Sequence, residues 1–505
     1  MFDNLLLGFN ISLSFSNLLY CLIGTILGTV VGVLPGLGPS ATIALLLPLT
    51  FKLNLTSAII MLAGIYYGVA YGGTITSVLM NIPGETATVV TCIDGYQMAR
   101  KGRAGPALGM AAFGSFIGST FGIIGLMLLA PPLSSVALSF GPPEFTTLMV
   151  AGMTLVTYLS KGSFTKSLAM AVLGFILACV GLDPIRGAER FTFGTLTLMD
   201  GFGIVPLVMG VFGIAELLNI AEGSVKQERF VQTSWRLSKL LPTKQDWKDS
   251  TGPIGRGTIL GFFLGILPGG GAVLASFISY GLEKKISKHP EKFGTGAIEG
   301  VAGPETANNA GTAGAFVPLL TLGLPFNVVT ALLLAAFIIH GVTPGPLILK
   351  KNPEIFWGVV TSMYVGNVML LVLNVPLIGM FVNILRVPYH ILTSIIALVC
   401  FVGAYSMNYN YLDVLVMIIF GIVGYMMQKF DYEPGPLILA FVIGPMFEQA
   451  LRQSLMLSGG SLSIFFRNSI CIALLLVAFL SIISPLLQMA YGYVKEHFGG
   501  KVLVS

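Results

Sequence analysis

Two stretches of the chain are near copies of each other: GTILGTVVGVLPGLG, Gly24–Gly38, and GTILGFFLGILPGGG, Gly257–Gly271. At an offset of 233 residues, ten of the fifteen positions are identical, and these identities include five glycines and one proline. Each copy has the pattern of an apolar helix that stops at Leu-Pro-Gly, because proline lacks a backbone N–H and glycine frees the backbone. The repetition therefore predicts a duplicated chain with one broken helix in each half. Matched breaks of this kind are typical of the substrate sites of membrane transporters.

The composition predicts a protein that crosses the lipid bilayer several times. Of the 505 residues, 55% are hydrophobic and 10% are charged, whereas soluble domains have about 25% charged residues. The net charge of +5 comes without a basic patch interleaved with aromatics, so no nucleic-acid partner is expected. Asp3 is present but Lys and Arg are absent before Lys52, so we interpret the first apolar segment as an uncleaved membrane helix and not as a signal peptide.

The sequence contains no pattern typical of an enzyme or of a metal site. The cysteines are scattered without CxxC spacing, and the histidines form no HxxxH pair. Ser/His/Asp and Walker motifs are likewise missing. We therefore expect no catalysis, no cofactor and no bound metal, and a coupling Na⁺ or H⁺ is the only inorganic partner that we predict.

Apolar segments divide the chain into two halves on either side of one long polar stretch. In the first half they cover residues 15–34, 40–51, 57–80, 105–130, 144–160, 166–182 and 203–221. In the second half they cover residues 255–267, 271–282, 301–323, 326–349, 355–385, 389–405, 411–428 and 434–450, followed by 470–492. The predicted domains are a first transmembrane repeat (1–221), a cytoplasmic linker (222–252), a second repeat (253–450), and a C-terminal transmembrane helix with a tail (451–505).

The distribution of basic residues favours repeats of inverted orientation. Six Lys and Arg residues place the linker in the cytoplasm under the positive-inside rule. Seven segments precede the linker, and this odd number turns the second half upside down relative to the first. Lys350, Lys351, Arg186, Arg190 and Arg452 fit this orientation less well. The short segments 40–51 and 271–282 are candidates for re-entrant arms that do not cross the bilayer.

The loop after the first Leu-Pro-Gly is the first candidate substrate site. A helix N-terminus carries unpaired N–H groups and about half a positive charge, so it suits an anion. Glycines let the backbone approach a ligand, and nearby hydroxyl groups add hydrogen-bond donors. The residues predicted to bind substrate here are Gly36, Gly38, Pro39, Ser40 and Thr42. The alternative is a tight turn between two packed helices.

Two further segments are predicted to contribute to the same site. The second loop, Gly269, Gly270 and Gly271, is less polar and would approach substrate through its backbone. In the first half, Thr74 and Ser77 lie about one helical turn apart. The alternative for this pair is ordinary hydrogen bonding between membrane helices.

The sequence GPETANNAGTAG, residues 303–314, is the most polar candidate within an apolar region. Its glycines and Pro304 predict an unwound stretch or a helix start. Asn308, Asn309 and Thr312 offer amide and hydroxyl groups to a carboxylate, and Glu305 with Asn308 is predicted to bind the coupling cation. The alternative is a capped helix N-terminus at the surface, with Glu305 as a first-turn acid.

These motifs resemble those of a known transporter family. The segments GVLPGLGP at 32–39, GILPGGG at 265–271, GPETANNAG at 303–311, GPPE at 141–144 and GLDPIRGAERFTFG at 181–194 are similar to the large permease subunit of the tripartite tricarboxylate transporters, the TctA type. The resemblance implies a bacterial inner-membrane secondary transporter. It also implies a small membrane subunit and a periplasmic solute-binding protein as partners. Ala272 and Val273 replace the Pro39-Ser40 of the first repeat, which puts equal substrate contact by both loops in doubt.

We therefore expect an all-α polytopic membrane protein with two repeats and an elevator-type mechanism. It would import a di- or tricarboxylate resembling citrate by cation symport. A channel is the first alternative, although the sequence shows neither a ring of like charges nor a filter motif. An intramembrane lipid-modifying enzyme is the second, and the small number of histidines argues against it.

Overall fold

The structure is a computed structural model that describes residues 2–34, 38–160, 163–183, 185–222, 237–384 and 389–498, without the side chains of 384, 389, 390, 392, 407, 486 and 488–498. Gly36, one of the predicted substrate ligands, lies outside these ranges, as does much of the predicted linker.

Helices form most of the first half of the chain. They are α1 Phe2–Ser12, α2 Phe15–Gly32, α3 Pro39–Leu46, α4 Leu55–Met80, α5 Val89–Met98, α6 Ala104–Ala137, α7 Pro142–Leu159, α8 Phe164–Ala178, α9 Ile204–Val208 and α10 Ala215–Ala221. Short 3₁₀ turns cover Leu47–Thr50, Thr86–Thr88 and Leu196–Leu198, and π-helical turns cover Ala99–Arg103 and Met209–Ile214. Two strands, β1 Gly181–Leu182 and β2 Glu189–Arg190, form a small antiparallel pair.

The second half is also helical. It contains α11 Leu237–Leu240, α12 Lys244–Ile266, α13 Gly271–Ile286, α14 Glu299–Leu322, α15 Val328–Ile339, α16 Ile348–Lys351, α17 Pro353–Asn374, α18 Ile378–Ile384, α19 Tyr389–Asn408, α20 Tyr411–Lys429, α21 Pro434–Leu457 and α22 Ser469–Phe498. Further 3₁₀ turns cover Pro290–Lys292 and Leu462–Phe466. The predicted all-α class is confirmed, with the β1–β2 pair as a local exception.

Several helices have the length and composition of membrane spans. Within the described residues, seven are long and apolar enough to cross a bilayer. They are Phe15–Gly32, Leu55–Met80, Thr86–Ala137, Ile204–Ala221, Pro353–Asn374, Tyr411–Lys429 and Pro434–Leu457. By contrast, the eight residues of α3 rise only about 12 Å at 1.5 Å per residue, against a hydrocarbon core of about 30 Å.

The chain forms two compact units, and each unit takes segments from both halves. The larger unit consists of residues 1–138 and 203–426, and the smaller one consists of residues 139–202 and 427–505. In the smaller unit, α21 packs against α7 and α8, and α22 packs against α7. All candidate substrate-site residues within the described ranges belong to the larger unit.

In the larger unit, the first copy of the repeated motif packs α2 against α4 through one glycine per helical turn. A Cβ built on each of these glycines would collide with a carbonyl oxygen of α4, so only glycine permits this approach. The pairs, with the distance from the built Cβ to the carbonyl oxygen, are Gly24–Met61 (2.2 Å), Gly28–Ile65 (2.4 Å) and Gly32–Val69 (2.5 Å).

The second copy of the motif packs α12 against α14 in the same way. The pairs are Gly257–Gly303 (2.6 Å), Gly261–Ala307 (2.3 Å) and Gly265–Gly311 (2.2 Å). The glycines of the two copies are 233 residues apart, and their carbonyl partners are 242 residues apart in all three pairs. The same helix-packing geometry therefore occurs once in each half.

The third long helix beside each pair comes from the opposite half of the chain. Helix α6, from the first half, packs against α14 and α12, whereas α17, from the second half, packs against α4 and α2. The two halves are therefore interleaved and do not pack as separate bodies.

Helices α4 and α14 end in the same manner, at a residue with left-handed backbone. These residues are Asn81, with φ 58° and ψ 26°, and Gly323, with φ 70° and ψ 21°. A proline follows two residues later in both cases, at Pro83 and Pro325, and proline disfavours continuation of the helix. Each helix is thus followed by a short turn before α5 or α15 begins.

The predicted unwinding of residues 303–314 is wrong. This segment lies inside the continuous helix α14, and all of its residues are buried. The alternative, an exposed helix start, is also wrong because α14 begins at Glu299. Gly303 and Gly311 permit close packing of α13 on α14, and Gly314 permits close packing of α12, so these glycines do not break the helix.

Candidate functional site

The end of the first broken helix lies beside the turn that precedes α5. A Cβ built on Gly84 would come within 2.7 Å of the carbonyl oxygen of Gly32 and within 2.3 Å of the Cα of Gly73. The last turn of α2 therefore touches the turn after α4. This contact places Gly32, the last residue of α2, beside the Asn81–Gly84 segment.

The second broken helix makes the equivalent contact with the turn that precedes α15. The backbone N–H of Gly269 donates a hydrogen bond of 3.0 Å to the carbonyl oxygen of Phe326. Gly269 and Gly270 have φ values of 97° and 113°, a region that residues with a Cβ rarely occupy. The start of α13 is consequently held next to the start of α15.

The two halves also meet through side chains at these turns. The Nδ2 of Asn308 on α14 donates a hydrogen bond of 2.7 Å to Oε1 of Glu85, which directly precedes the 3₁₀ turn before α5. On the other side, α4, which carries Tyr66, packs against α15, whose N-cap residue is Asn327. Asn327 caps the N-terminus of α15 by accepting a 2.8 Å hydrogen bond from the N–H of Thr330. Each long helix thus contacts the start of the short helix of the other half.

A buried carboxylate lies one turn away from Asn308. Glu305 is 1% exposed, and its two oxygens accept hydrogen bonds from Thr74 of α4 (2.8 Å) and Thr91 of α5 (2.5 Å). A charged group in such surroundings needs hydrogen bonds to replace the lost water. The predicted partners Glu305 and Thr74 are therefore in direct contact across the two halves.

The other predicted polar residues form short-range hydrogen bonds within this buried region. Asn309 donates to Ser115 of α6 at 2.7 Å. Ser77 donates to Thr88 at 2.8 Å. Thr312 donates to the carbonyl oxygen of Asn308 at 3.1 Å.

The predicted residues of the first loop differ in their exposure. Gly38 caps α3, and Pro39 is its first residue. Thr42 is buried, and its hydroxyl donates to the carbonyl oxygen of Gly38 at 3.0 Å. Ser40 is partly exposed, and a Cβ built on Gly38 meets nothing within 4 Å. Open space therefore surrounds Gly38, as it also surrounds Gly270 of the second loop.

Sequence reasoning missed several residues of this region. Helix α5 was not among the predicted segments, and it supplies Thr91. Glu85 and Tyr66 were also missed. A signal that could have identified Glu85 is its position directly after Asn-Ile-Pro-Gly, since polar residues often cap a helix that follows such a turn.

Helix α5 is fixed to the second half by a buried aspartate. Oδ1 of Asp94 accepts hydrogen bonds from the N–H groups of Gly294, Gly296 and Ala297, and Oδ2 accepts one from the hydroxyl of Tyr280 at 2.9 Å. Three of these bonds tie α5 to the segment that leads into α14, and the bond from Tyr280 ties α5 to α13. They help to keep Thr91 of α5 next to Glu305 of α14.

An ionic cluster fixes the β1–β2 loop in the smaller unit. Arg452 pairs with Asp183 at 2.9 Å, and Arg190 pairs with Glu448 at 2.8 Å. The backbone N–H groups of Arg186 and Ile185, together with Arg452, hold the pKa of Asp183 well below its usual range. Arg190 and Arg452, two basic residues that fit the predicted orientation less well, are thus both used in structural ion pairs.

The site combines features that suit the binding of a small anion together with a cation. The starts of α13 and α15 are adjacent, and each offers unpaired N–H groups at the positive end of a helix dipole. The buried carboxylate of Glu305 supplies a negative charge nearby. Among the described residues, no group of three or more His, Cys, Asp and Glu side chains could hold a metal ion.

An all-helical, multi-pass membrane protein with paired helix breaks is the class that this fold defines. Residues 18–439 match the sequence profile of the Tripartite tricarboxylate transporter TctA family. The chain belongs to this family, as its motifs predicted.

Two curated relatives come from Agrobacterium vitis. The uncharacterized 52.8 kDa protein in TAR-I ttuC' 3'region is 49% identical over 487 residues, which are 96% of this chain and 96% of that protein. The uncharacterized protein in TAR-II ttuC' 3'region is 48% identical over 227 residues, which are 45% of this chain and 94% of that protein. No solved structure has significant similarity to the chain.

Proposed function

We propose that this chain is the large permease subunit of a binding-protein-dependent secondary transporter and that it imports a di- or tricarboxylate, such as citrate, by cation symport. Its family is one of tripartite tricarboxylate transporters. On this proposal, its partners are a small membrane subunit and a periplasmic solute-binding protein. Its location is the bacterial inner membrane.

The observation that carries the proposal is the reciprocal contact between the helix breaks of the two halves. Asn308 of the second half bonds Glu85 at the first-half break, and α4 of the first half packs against α15, which begins at the second-half break. Together with the matched glycine contacts, this supports two structural repeats around one central site. Breaks of this kind near the bilayer midplane expose backbone dipoles to a substrate.

The substrate carboxylates are proposed to bind at the exposed loop tips. Gly38, Ser40, Gly269 and Gly270 are all partly exposed, and a side chain at Gly38 or Gly270 would meet open space. The backbone N–H groups at the starts of α3 and α13 are the proposed donors. A layer of buried polar side chains holds these loop tips in place. It consists of Asn308, Asn309, Thr312 and Ser77.

Cation coupling is proposed to act through Glu305. This carboxylate joins α14 to α4 and α5 through two hydroxyl donors. A cation that binds near it changes the electrostatics between elements of both halves. In an elevator-type mechanism, one assembly would move against a fixed scaffold only when both the cation and the carboxylate are bound.

The test is uptake of radiolabelled citrate and other carboxylates into proteoliposomes that contain the complex of both membrane subunits. The cognate binding protein is added outside, with and without a Na⁺ gradient. Gly38→Ala, Ser40→Ala and Asn308→Ala are each expected to reduce uptake about tenfold, which corresponds to about 1.4 kcal/mol. Thr321→Val on α14 is the control because Thr321 bonds only the carbonyl oxygen of Val317 in its own helix.

Gly38→Ala is the most informative of these variants. Gly38 has φ −68°, which alanine adopts freely, and the added methyl group meets no neighbour. Loss of uptake with unchanged thermal stability would therefore report on substrate contact. Uptake at the wild-type rate in all three variants would remove these residues from the substrate site.

A further inference from the structure

A small cavity lies between α4, α6 and the C-terminal end of α17. Its polar lining consists of Tyr71, Thr74, Ser115 and Asn374, and it has room for about one water molecule. All four side chains belong to buried residues, with exposures of 3%, 5%, 1% and 4%. The four polar side chains of the lining are thus buried within the larger unit, next to apolar side chains that complete the lining.

The polar atoms that line the cavity are oxygens whose protons are mostly used elsewhere. The Tyr71 hydroxyl donates to Oδ1 of Asn367 at 2.9 Å, and the Thr74 hydroxyl donates to Glu305 at 2.8 Å. Ser115 accepts a hydrogen bond from Asn309. Each of these oxygens therefore keeps lone pairs that are free to coordinate a positive ion.

Asn374 provides the clearest sign of a missing partner. Its Nδ2 donates to the carbonyl oxygen of Leu370 at 2.9 Å, which fixes the orientation of the amide. Its Oδ1 is buried and has no hydrogen-bond partner. A buried amide oxygen without a partner is unfavourable, so a ligand that coordinates Oδ1 of Asn374 would stabilise this region.

The electrostatics around the cavity favour a cation. Asn374 is the last residue of α17, so the negative end of that helix dipole and its last unpaired carbonyl groups lie here. The carboxylate of Glu305 is one hydroxyl group away, through Thr74. No Lys, Arg or His lines the cavity. Small hard cations prefer such neutral oxygen ligands with one carboxylate nearby.

We propose that this cavity binds one Na⁺ ion between α4, α6 and α17. The inference rests on the proposed symport function and assigns the coupling ion to a position. Because Tyr71 is the only titratable residue among the described residues that line the cavity, the site suits a metal cation better than a proton. The ion would join two helices of the first half to one of the second, next to the carboxylate that links α4, α5 and α14.

A bound water molecule is the alternative that the experiment must exclude. Water would donate two hydrogen bonds and could satisfy Asn374 and one further oxygen. Binding of ²²Na⁺ to the purified full-length chain in lipid nanodiscs distinguishes the two, with competition by unlabelled NaCl, KCl and choline chloride. Saturable binding that is displaced by NaCl alone is expected for the wild type.

The variants Ser115→Ala and Asn374→Ala each remove one proposed ligand and are expected to weaken ²²Na⁺ binding at least tenfold. The matched control is Ser119→Ala, one turn further along α6, because Ser119 is also buried and unpaired but does not line the cavity. This control should bind ²²Na⁺ like the wild type. Asn374→Asp adds a negative charge at the same position and is expected to tighten binding.

Two results would overturn the proposal: absence of saturable ²²Na⁺ binding to the folded wild type, or wild-type binding by both Ser115→Ala and Asn374→Asp. If Asn374→Ala fails to fold, ²²Na⁺ binding by Ser115→Ala and Asn374→Asp still tests the proposed site. Evidence against the Na⁺ site can be distinguished from evidence against the proposed transport function. Carboxylate uptake that persists without Na⁺ would refute the site alone, whereas absence of any carboxylate uptake would refute the function.

Discussion

At the scale of single residues, Glu305 shows how the chain keeps a charge inside an apolar protein. Its carboxylate receives one hydroxyl donor from Thr74 and one from Thr91, so each oxygen has a partner. These donors belong to α4 and α5, whereas Glu305 belongs to α14. The stability of the buried carboxylate therefore depends on correct packing of three helices from both halves.

We predict that Thr91→Val destabilises the protein by about 1.5–3 kcal/mol, the usual contribution of a hydrogen bond to a charged group. Valine keeps the shape of threonine and removes only the hydroxyl. The measurement is thermal unfolding in detergent. The control is Thr361→Val on α17, because Thr361 is equally buried and bonds only carbonyl oxygens of its own helix.

A double-mutant cycle separates this effect from simple repacking. In a Glu305→Gln background the charge is gone, so Thr91→Val should cost clearly less than it does in the wild type. Equal costs in the two backgrounds would show that Thr91 does not act on the charge of Glu305.

At the scale of elements, the glycines of the repeated motif determine how closely two helix pairs approach. Gly28 and Gly261 are the middle glycines of the three contacts in each helix pair. A Cβ at Gly28 would come within 2.4 Å of a carbonyl oxygen, and a Cβ at Gly261 would come within 2.3 Å of one. Both contacts are with backbone, which cannot rotate away as a side chain can. A single methyl group must therefore push the two helices apart.

We predict that Gly28→Ala and Gly261→Ala each lower the stability by about 1–3 kcal/mol, the usual cost of overpacking. Gly255→Ala on α12 is the control. It faces open space and should be neutral or stabilising by up to about 1 kcal/mol, because alanine has the higher helix propensity. Thermal unfolding of the three variants checks this, and equal destabilisation by all three would contradict the packing role.

The repeated glycines also explain which parts of the fold were predictable from the sequence. The repeated Gly and Leu-Pro-Gly pattern located both breaks, because proline and glycine act locally. The same residue types gave a wrong prediction at 303–314, where Gly303 and Gly311 accommodate α13, Gly314 accommodates α12, and the helix continues. Whether a glycine breaks a helix or packs one is decided by a partner helix that is distant in sequence.

The contacts of the candidate site were less predictable than its members. Glu305, Asn308 and Thr74 were predicted from their polarity within apolar segments, since such residues are costly in lipid. Their partners Thr91 and Glu85 lie on or before α5, which is less apolar than the helices around it. The packing of α6 and α17 against helices of the opposite half could not be predicted, because no local sequence pattern indicates it.

At the scale of the whole molecule, the distribution of basic residues in the sequence predicts two repeats whose orientation in the membrane is opposite. Gly105-Pro106 of the first half parallels Gly345-Pro346 of the second. Exposed basic residues lie just before and just after these dipeptides, at Arg100 and Lys350. If the repeats are inverted, these two positions must face opposite sides of the bilayer.

We predict that a membrane-impermeant maleimide added to cells modifies Lys350→Cys, whereas Arg100→Cys reacts only after the inner membrane is permeabilised. Basic residues before Gly105 should remain cytoplasmic under the positive-inside rule, and inversion carries Lys350 to the outer side. The unsubstituted protein is the control, since Cys21, Cys92, Cys400 and Cys471 are buried and Cys179 is partly buried. Labelling of both positions from the same side would contradict inverted repeats, because two halves of equal orientation place equivalent turns on one face of the membrane.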